Sequence, residues 1–471
     1  MHRLKRSFAY FLLVLAVGLA IAGVIRLGAS LPGTAGSGPA APASTSLLEA
    51  FSSNLQDPLS HLLVQLLTII VAARLTGSLF KRCGLPAVVG EMAAGIALGP
   101  SLFGALFPAA AAFVFPAQSL GTLKLLSQIG ICLFMFSVGM DLNLAHVRNR
   151  AREAVAVSHA SILAPFLLGV VLAYYTFNDL AGTSATFTGF ALFMGISMSI
   201  TAFPVLARIL QERDMTRTFL GSTAITCAAV DDVTAWSIMA FVVGIVKSTS
   251  MAGAALTLAL AAVFISVMLL GVQRWLPRWL GRERLQSEEV SSGTLAVVIA
   301  VVLAGALSTE VIGIHALFGA FLAGVVMPDT QGFRERINAR VEKVSSVLLL
   351  PLFFAFTGLR TQVGLLDDLQ GWMLCLLIIA VATVGKLGAS ALAARITGMN
   401  WRDSLQLGAL MNTRGLMELI VLNIGYDLGI LSPRIFTMLV IMALVTTVLT
   451  GPLLTLFGQR ETHPSAAHLT R

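Results

Sequence analysis

Two adjacent aspartates lie in the middle of a long apolar segment, in the run Ala-Val-Asp-Asp-Val-Thr-Ala-Trp (229–236). Charged side chains at the centre of a bilayer cost roughly 2.5–3.5 kcal/mol on insertion scales, so they mark functional sites by default. Neighbouring positions on a helix point about 100° apart, so Asp231 and Asp232 cannot face the same partner. One could meet a buried cation while the other faces a water-filled cavity. A structural ion-pair cluster that only holds helices together is the alternative.

Few other ionisable residues are predicted at mid-membrane depth. Lys386 is flanked by small residues that would let another helix approach its ammonium. Glu91, in the run Gly-Glu-Met-Ala-Ala-Gly, could line an ion path or anchor helix packing. Arg414 and Glu418 are spaced i and i+4, so they could simply neutralise each other.

Two predicted helices carry polar interruptions. In the first, Ser199 and Thr201 precede Pro204, which removes a backbone donor and clashes with the preceding turn. The hydroxyls could satisfy freed backbone groups or offer oxygens to a cation. The second interruption consists of Asn412, Thr413 and Gly415. Paired interruptions at corresponding places in two halves of a chain indicate a transporter's binding site at the membrane midplane.

The composition places these residues in a membrane protein. Charged residues make up 11% of the 471 residues and hydrophobic residues 57%, whereas soluble chains are about 25% charged. Mean hydropathy is +0.88. An all-α polytopic membrane protein is predicted, and ordinary cytosolic enzymes, nucleic-acid binders and disulfide-stapled secreted domains are excluded. The four cysteines form no paired motif, so neither a disulfide framework nor a zinc site is predicted.

About thirteen apolar segments of bilayer-spanning length, H1 to H13, follow a leading segment. They are predicted at 58–80, 85–106, 121–141, 155–177, 185–208, 218–246, 252–273, 292–309, 311–328, 344–364, 372–395, 403–426 and 434–458. Twenty lysines and arginines fall in loops and the tail on one side, and only Lys124, Lys247, Arg360 and Arg434 on the other. The positive-inside rule therefore puts the N-terminus of H1 outside and the C-terminus in the cytoplasm.

The regions around the spans have separate predicted roles. Residues 1–30 have the basic and apolar order of a signal peptide or an uncleaved anchor. Residues 31–57 are predicted to be a flexible external linker, and 459–471 a short cytoplasmic tail. Within the transmembrane domain, 58–458, an odd count with H7 as a linker makes H1–H6 and H8–H13 two inverted halves. A bundle without repeats is the alternative.

Taken together, these motifs resemble the cation–proton antiporters, in the branch with bacterial sodium– and potassium–proton exchangers and plant cation–proton exchangers. The matching runs are Gly90–Gly99, Ser199–Leu206, Ala229–Trp236, His315–Gly324, Lys386 and Asn412–Ile424. The resemblance spans nearly the whole chain. It implies a homodimer in which a six-helix core moves like an elevator against a dimerisation domain. It also implies that H5 and H12 are interrupted helices that cross near the carboxylates.

The same resemblance implies roles for individual residues. Asp232 would bind a monovalent metal cation and a proton in turn, Asp231 would pair with Lys386, and Thr201 would belong to the polar residues of the interrupted helix. An aspartate at position 231 favours an electrogenic, sodium-type exchanger, with potassium still possible. The expected substrates are Na⁺ or K⁺ and H⁺. Neither a cofactor nor an attached nucleotide-binding regulatory domain is expected.

A carboxylate holds a proton or a monovalent cation, but not both well, so competition for Asp232 is enough to couple opposite fluxes. The sequence thus predicts a cation–proton antiporter of the plasma membrane, or of the inner membrane in a bacterium. A cation channel is an alternative, although no repeated filter loop is present. An intramembrane aspartyl protease is a second, because Tyr426-Asp427 resembles half of such a motif.

Overall fold

A computed structural model of the chain describes residues 54, 57–141, 151–216, 218–247, 251–281, 285, 287, 289–330 and 332–458. The predicted signal segment, the tail, and the linker apart from residues 54 and 57 lie outside this range. Over the described residues, all regular structure is helical except for one antiparallel bridge between Ala181 and Leu431. The prediction of an all-α fold is confirmed.

Thirteen main helices, α1 to α13, follow one another in the described residues. The continuous ones are α1 Pro58–Arg82, α2 Ala87–Leu98, α3 Leu120–Asp141, α4 Ala151–Leu180, α6 Phe219–Lys247, α8 Ser292–Ile312, α9 Ala316–Val325, α11 Leu369–Ile396 and α13 Pro433–Phe457. Two are divided, into α5a Phe187–Ser199 and α5b Phe203–Glu212, and into α12a Trp401–Met411 and α12b Leu416–Asp427. Two contain a π-helical stretch: α7 is Met251–Ser266, Val267–Val272 and Gln273–Leu280, and α10 is Phe333–Val344, Ser345–Leu349 and Leu350–Arg360. Short helices at Phe103–Leu106, Pro108–Val114, Ala117–Ser119 and Val363–Leu365 connect them.

Eleven apolar helical stretches of the described chain are long enough to cross a bilayer. Several of them are composite; Ala87–Leu106, for example, joins α2 to the short helix after it, and Phe187–Gln211 joins α5a to α5b. The exceptions are α9, which has ten residues, and the divided α12. A full span needs about 20 residues. The helices thus follow the predicted order, and the predicted count of about thirteen spans is approximate, because α9 is short and α12 is not among the eleven stretches.

The helices pack as two groups. We call α1, α2, α3, α8, α9 and α10 the first bundle, because they pack chiefly on one another. We call α4, α5, α6, α11, α12 and α13 the second bundle for the same reason. Helix α7 packs on α6 of the second bundle and α8 of the first. Both divided helices therefore belong to the second bundle.

Glycines let helices of the first bundle approach closely. A Cβ on Gly95 of α2 would lie 2.1 Å from the Phe354 carbonyl oxygen of α10, and one on Gly139 of α3 would lie 2.2 Å from the Phe321 oxygen of α9. Helices in lipid associate through such close packing, since lipid tails are as apolar as leucine. The glycines of the run at 90–99 therefore join α2 to its neighbours.

Candidate functional site

Asp231 of α6 and Lys386 of α11 form a buried ion pair in the second bundle. Lys386 Nζ lies 3.2 Å from Asp231 Oδ2, and both side chains are 0% exposed. The ammonium also donates to the carbonyl oxygens of Ser161, at 3.2 Å, and Ser199. Since an ammonium has three donors, the charge of Lys386 is fully hydrogen-bonded.

Asp231 has hydroxyl partners as well. Ser158 and Ser161 of α4 lie 2.9 and 2.8 Å from Oδ1, and Thr201 donates to Oδ2. With Lys386, these hydroxyls fill the acceptor positions of the carboxylate. A buried charge is tolerated only where it is paired and hydrogen-bonded, and Asp231 meets both conditions.

Asp232 is in a different environment from its neighbour. Its side chain is also 0% exposed, but within the described chain neither carboxylate oxygen has a hydrogen-bond partner. The backbone N–H of Phe203, the first residue of α5b, is directed towards the carboxylate without meeting hydrogen-bond geometry, as expected for the positive end of a helix. A buried ionised group without a partner is strongly destabilising. This carboxylate therefore favours an added positive partner, either a proton or a cation.

The two divided helices cross at their interruptions. The Ala202 amide donates to the Thr413 carbonyl oxygen at 2.9 Å, and the Thr201 hydroxyl lies 3.0 Å from the Met411 carbonyl oxygen. Pro204 lies in the first turn of α5b, where backbone N–H groups have no acceptor within the helix. The predicted crossing of H5 and H12 is therefore present, and Pro204 starts the second half rather than interrupting its interior.

Arg414 ties α12 to the end of α5a. Its Nη1 and Nη2 donate to the carbonyl oxygens of Ser197 and Met198, both at 2.6 Å. These oxygens belong to the last turn of α5a, where carbonyl groups have no N–H donor within the helix. Glu418 Oε2 lies 3.4 Å from Arg414 Nη1. The backbone of Arg414 bonds the Thr447 hydroxyl through its N–H (3.1 Å) and C=O (2.7 Å). The i, i+4 pair is thus present, but it is only part of what Arg414 does.

The other polar residues of the interruptions take different positions. The Ser199 hydroxyl lies 2.7 Å from the Gly195 carbonyl oxygen and 3.0 Å from that of Ile162, so its single hydrogen is engaged with the backbone. The Thr413 hydroxyl lies 3.3 Å from that of Thr450. Asn412 is 0% exposed, and its amide has no partner in the described residues. Gly415 is the N-cap of α12b.

Glu91 lies apart from this group, on α2 of the first bundle. It is 7% exposed, and a Cβ on Gly77 of α1 would lie 3.5 Å from its Cγ. Arg74 and Arg208 act on it electrostatically. In the part of the chain that is described, no hydrogen bond or ion pair connects it to the aspartates.

A cavity lies on the predicted inner side of the crossing. It has a volume of about 430 Å³ and is lined by residues that include Lys81, Ile209, Arg213 and Thr447. Thr447 is the residue that bonds the Arg414 backbone. The cavity therefore borders a residue that contacts the interruption of α12.

At the predicted outer face the space next to α12b is much smaller. The void between α3, α9, α10 and α12b has a volume of about 30 Å³, room for only one or two waters. Lys124 Nζ and Arg360 Nη2 lie 3.0 and 2.7 Å from the Asp427 carboxylate. Asp427 is thus paired with two cations, not with a second aspartate as a protease would require.

Sequence reasoning missed Ser158, Ser161 and Thr447. The two serines are spaced i and i+3 in an apolar helix, which puts both on one face; that spacing is the signal by which they could have been found. Thr447 belongs to a threonine-rich stretch, 446–450, of α13. Its signal is weaker, because threonines in a membrane helix often bond only their own backbone.

Comparison with known proteins gives a consistent result. The family model described as the transmembrane region of sodium/hydrogen exchangers matches residues 66–459. The Na⁺/H⁺ antiporter NhaS4 of Synechocystis sp. is 41% identical over 408 residues, 86% of this chain and 98% of that protein. The cation/H⁺ antiporter 20 of Arabidopsis thaliana is 37% identical over 83% of this chain, which spans about half, 48%, of the plant protein.

A solved structure shares the fold. The sodium–proton antiporter MjNhaP1 of Methanocaldococcus jannaschii superposes with a TM-score of 0.62 at 16% identity, covering 85% of this chain and 100% of that one. The resemblance seen in the sequence is confirmed by the family model and by the relatives at 37–41% identity. This chain belongs to the sodium/hydrogen exchanger family of membrane transporters.

Proposed function

We propose that the protein is a secondary antiporter that exchanges a monovalent cation for protons by competition at Asp232. The supporting observation is the contrast between two adjacent carboxylates. Asp231 is saturated by Lys386 and three hydroxyls, whereas both oxygens of Asp232 are buried without a partner in the described chain. Asp232 can then take a cation when it is ionised, and a proton expels that cation. No cofactor takes part.

Alternating access is the proposed way in which the two ions cross. The aspartates and both interruptions lie in the second bundle, which packs less extensively on the first bundle than within itself. Movement of the second bundle against the first would carry Asp232 from the inner cavity to the outer face, as in an elevator. The core of the exchanger is then the second bundle.

The oligomeric state, the membrane orientation and the relation of the two halves are also part of the proposal, and they follow from the family resemblance. The chain forms a homodimer in the plasma membrane, or the inner membrane in a bacterium, with its mature N-terminus outside and its C-terminus in the cytoplasm. The halves H1–H6 and H8–H13 are inverted repeats. Support comes from the distribution of lysine and arginine and from two divided helices at corresponding places.

Sodium is the favoured cation, and potassium is the second candidate. The presence of Asp231, paired with Lys386, supports an electrogenic sodium-type exchanger. The name of the Synechocystis relative agrees with this choice. Exchange measured with Na⁺, K⁺ and Li⁺ separately, with and without an imposed voltage, tests both the cation and the electrogenicity.

The decisive test of the proposal is Asp232→Asn in proteoliposomes with a pH-sensitive dye inside. The amide keeps the shape of the side chain but can neither ionise nor exchange a proton. We expect cation-driven proton movement to fall to the level of protein-free vesicles. Asp179→Asn, the same change at an exposed position of α4, should leave exchange unchanged.

Full exchange by the Asp232→Asn variant would remove this residue from the mechanism.

A channel would be indicated by a different result in the wild-type protein. Flux would then fail to saturate with cation concentration, and single-channel currents would appear in planar bilayers. An antiporter instead shows flux that saturates with cation concentration. This flux stops when the ion exchanged from the opposite side is removed.

A further inference from the structure

A network of polar contacts joins the two bundles at one end of their interface. Asp427, the last residue of α12b, is bound by Lys124 of α3 at 3.0 Å and by Arg360 of α10 at 2.7 Å. Both cations belong to the first bundle and the carboxylate to the second. Each of these ion pairs therefore spans the surface between the bundles.

Arg360 makes further contacts with α12b. Its Nη1 donates to Asn423 Oδ1 at 3.0 Å, and its guanidinium carbon lies 5.1 Å from the centre of the Tyr426 ring. The ring of Phe356 on its own helix lies on the guanidinium at 4.1 Å. Asn423 in turn donates to the Thr357 hydroxyl of α10 at 2.8 Å. Arg360 is thus held in one orientation, which favours a specific planar contact over a loose surface pair.

The position of this network matters because the opposite end of the interface is open. The cavity of about 430 Å³ lies at the other face, between the α1–α2 link of the first bundle and α5b and α13 of the second. Beneath the ion pairs, the void lined by Ser127, Gln128 and Asn423 has a volume of only about 30 Å³. The contacts therefore close one of two possible entrances to the site.

We propose that Lys124, Asp427 and Arg360 form a latch that closes the predicted outer entrance and stabilises the conformation open to the inside. The latch has to open each time Asp232 becomes accessible from outside. The latch gives a function to Asp427 of the Tyr426-Asp427 motif, which had suggested a protease. The inference rests on the proposed alternating access, but its test needs no transport.

The physical argument is a shift of populations. A contact made in only one of two conformations favours that conformation by its own free energy, and removing it favours the other. The three side chains are 16–34% exposed, and exposed pairs contribute little. The Arg360 pair is charge-assisted and oriented, however, so we expect a change of about tenfold in the ratio of the two conformations when Asp427 is neutralised.

The experiment measures the accessibility of single cysteines in reconstituted full-length protein. The exposed native thiol is removed by Cys83→Ser, and the three other cysteines are buried. Ser127→Cys reports on the outer void and Val448→Cys on the inner cavity, since both residues line those spaces. A membrane-impermeant maleimide is applied to each face separately. With Asp427→Asn, the S127C reporter should react about tenfold faster from the outer face, and the V448C reporter more slowly from the inner face.

The matched control is a second Arg–Asp pair at the same face. Arg434 Nη2 lies 2.5 Å from Asp368 Oδ1, but Asp368 caps α11 and Arg434 belongs to α13, so both lie in the second bundle. Asp368→Asn should leave both labelling rates unchanged. Lys124→Gln retains the Arg360 contacts and should give a smaller effect than Asp427→Asn, which makes it the second variant if the first folds poorly.

Two results would overturn the latch. One is an S127C labelling rate that is unchanged by Asp427→Asn and by Lys124→Gln. The other is an equal effect of Asp368→Asn, which would indicate a general response to surface charge. Labelling that shifts as expected in a protein without exchange activity would instead support the latch and reject the antiporter proposal.

Discussion

At the scale of the residue, two neighbouring aspartates of identical chemistry have opposite surroundings. Asp231 faces α4, α5 and α11 and meets four donors, while Asp232 faces the start of α5b, where no donor of the described chain lies within hydrogen-bond geometry. The cause is the angle of about 100° between successive helical positions. One carboxylate is therefore fixed as part of a neutral pair, and the other is available to an ion.

The stability of the buried pair should be strongly non-additive. Lys386→Met leaves the Asp231 carboxylate without its counter-charge, and breaking one side of a buried pair costs about 3–5 kcal/mol. In the double variant Asp231→Asn/Lys386→Met no charge remains, so the loss should be smaller than the sum of the single losses, and smaller than that of Lys386→Met alone. Thermal unfolding of the four proteins in one detergent measures this cycle.

Additive losses would show that the two charges are stabilised independently, by hydroxyls and carbonyl oxygens instead of by each other. Glu418→Gln serves as a reference for neutralising another fully buried charge of the same bundle. It should not alter the coupling between Asp231 and Lys386, because it contacts neither side chain directly in the described structure.

Residue types revealed which charges matter, but not all of their partners. Asp231, Lys386 and Arg414 stand out in the sequence because charges are rare in apolar segments. Ser158 lies 73 positions from the aspartate that it bonds, and nothing local indicates this contact. Thr201 was expected to satisfy freed backbone groups or to offer an oxygen to a cation, and the sequence did not indicate that its hydroxyl donates to Asp231. Such pairings depend on how each helix is rotated about its axis. A membrane helix that is apolar on every face gives no sequence signal for that rotation.

At the scale of the element, the division of α5 creates two helix ends inside the protein. The carbonyl end of α5a meets cations, since Lys386 binds the Ser199 oxygen and Arg414 those of Ser197 and Met198. The amide end of α5b meets an anion, Asp232. This arrangement follows the helix dipole, which is negative at the C-terminus and positive at the N-terminus. The interruption therefore organises the charges of the site as well as exposing backbone.

Arg414 should matter more for stability than its acidic partner. Arg414→Gln removes two charge-assisted bonds to backbone carbonyls and leaves Glu418 buried and unpaired, which together should cost about 3–5 kcal/mol. Glu418→Gln retains both carbonyl bonds, which lie at 2.6 Å, and should cost about 1–2 kcal/mol. Unfolding temperatures in detergent rank the two variants. Equal losses would mean that the ion pair, and not the carbonyl contacts, is what Arg414 contributes.

The interruptions themselves were predictable, because proline and a polar run with glycine disrupt helices. Their detailed form was not. The break in α5 occupies residues 200–202, before Pro204. The i, i+4 spacing of Arg414 and Glu418 suggested a pair confined to one helix, whereas the longer reach of the guanidinium joins α12 to α5a. Contacts between distant segments decide this, and spacing along one helix does not report them.

At the scale of the whole molecule, the order of helices was predictable from apolar length, and their grouping was not. Helices in lipid can be apolar on every face, so the sequence does not show which of them pack together. The first and second bundles became visible only in the structure. The inverted relation of the two halves and the direction of insertion stay predictions, because they rest on the count of segments and on the loop charges.

The orientation of the molecule can be tested with a thiol that the chain already has. Cys83 directly follows α1 and is exposed, and it lines a wide vestibule together with Arg213 and Arg402. The positive-inside rule places these basic residues in the cytoplasm. A membrane-impermeant maleimide should therefore label the wild-type protein in inside-out vesicles but not in intact cells. Cys83→Ser should abolish the signal, since the three other cysteines are buried.

A reporter at the opposite face makes this prediction two-sided. Asp179 is exposed near the end of α4, which is predicted to lie outside. In the Cys83→Ser background, an Asp179→Cys variant should react in intact cells and be protected in inside-out vesicles. The reverse pattern at both positions would invert the assigned topology, so that the open cavity would face outside and the Asp427 ion pairs would close the cytoplasmic entrance. Labelling of both positions from one face would contradict the helix count between them, because α2 and α3 and most of α4 separate Cys83 from Asp179.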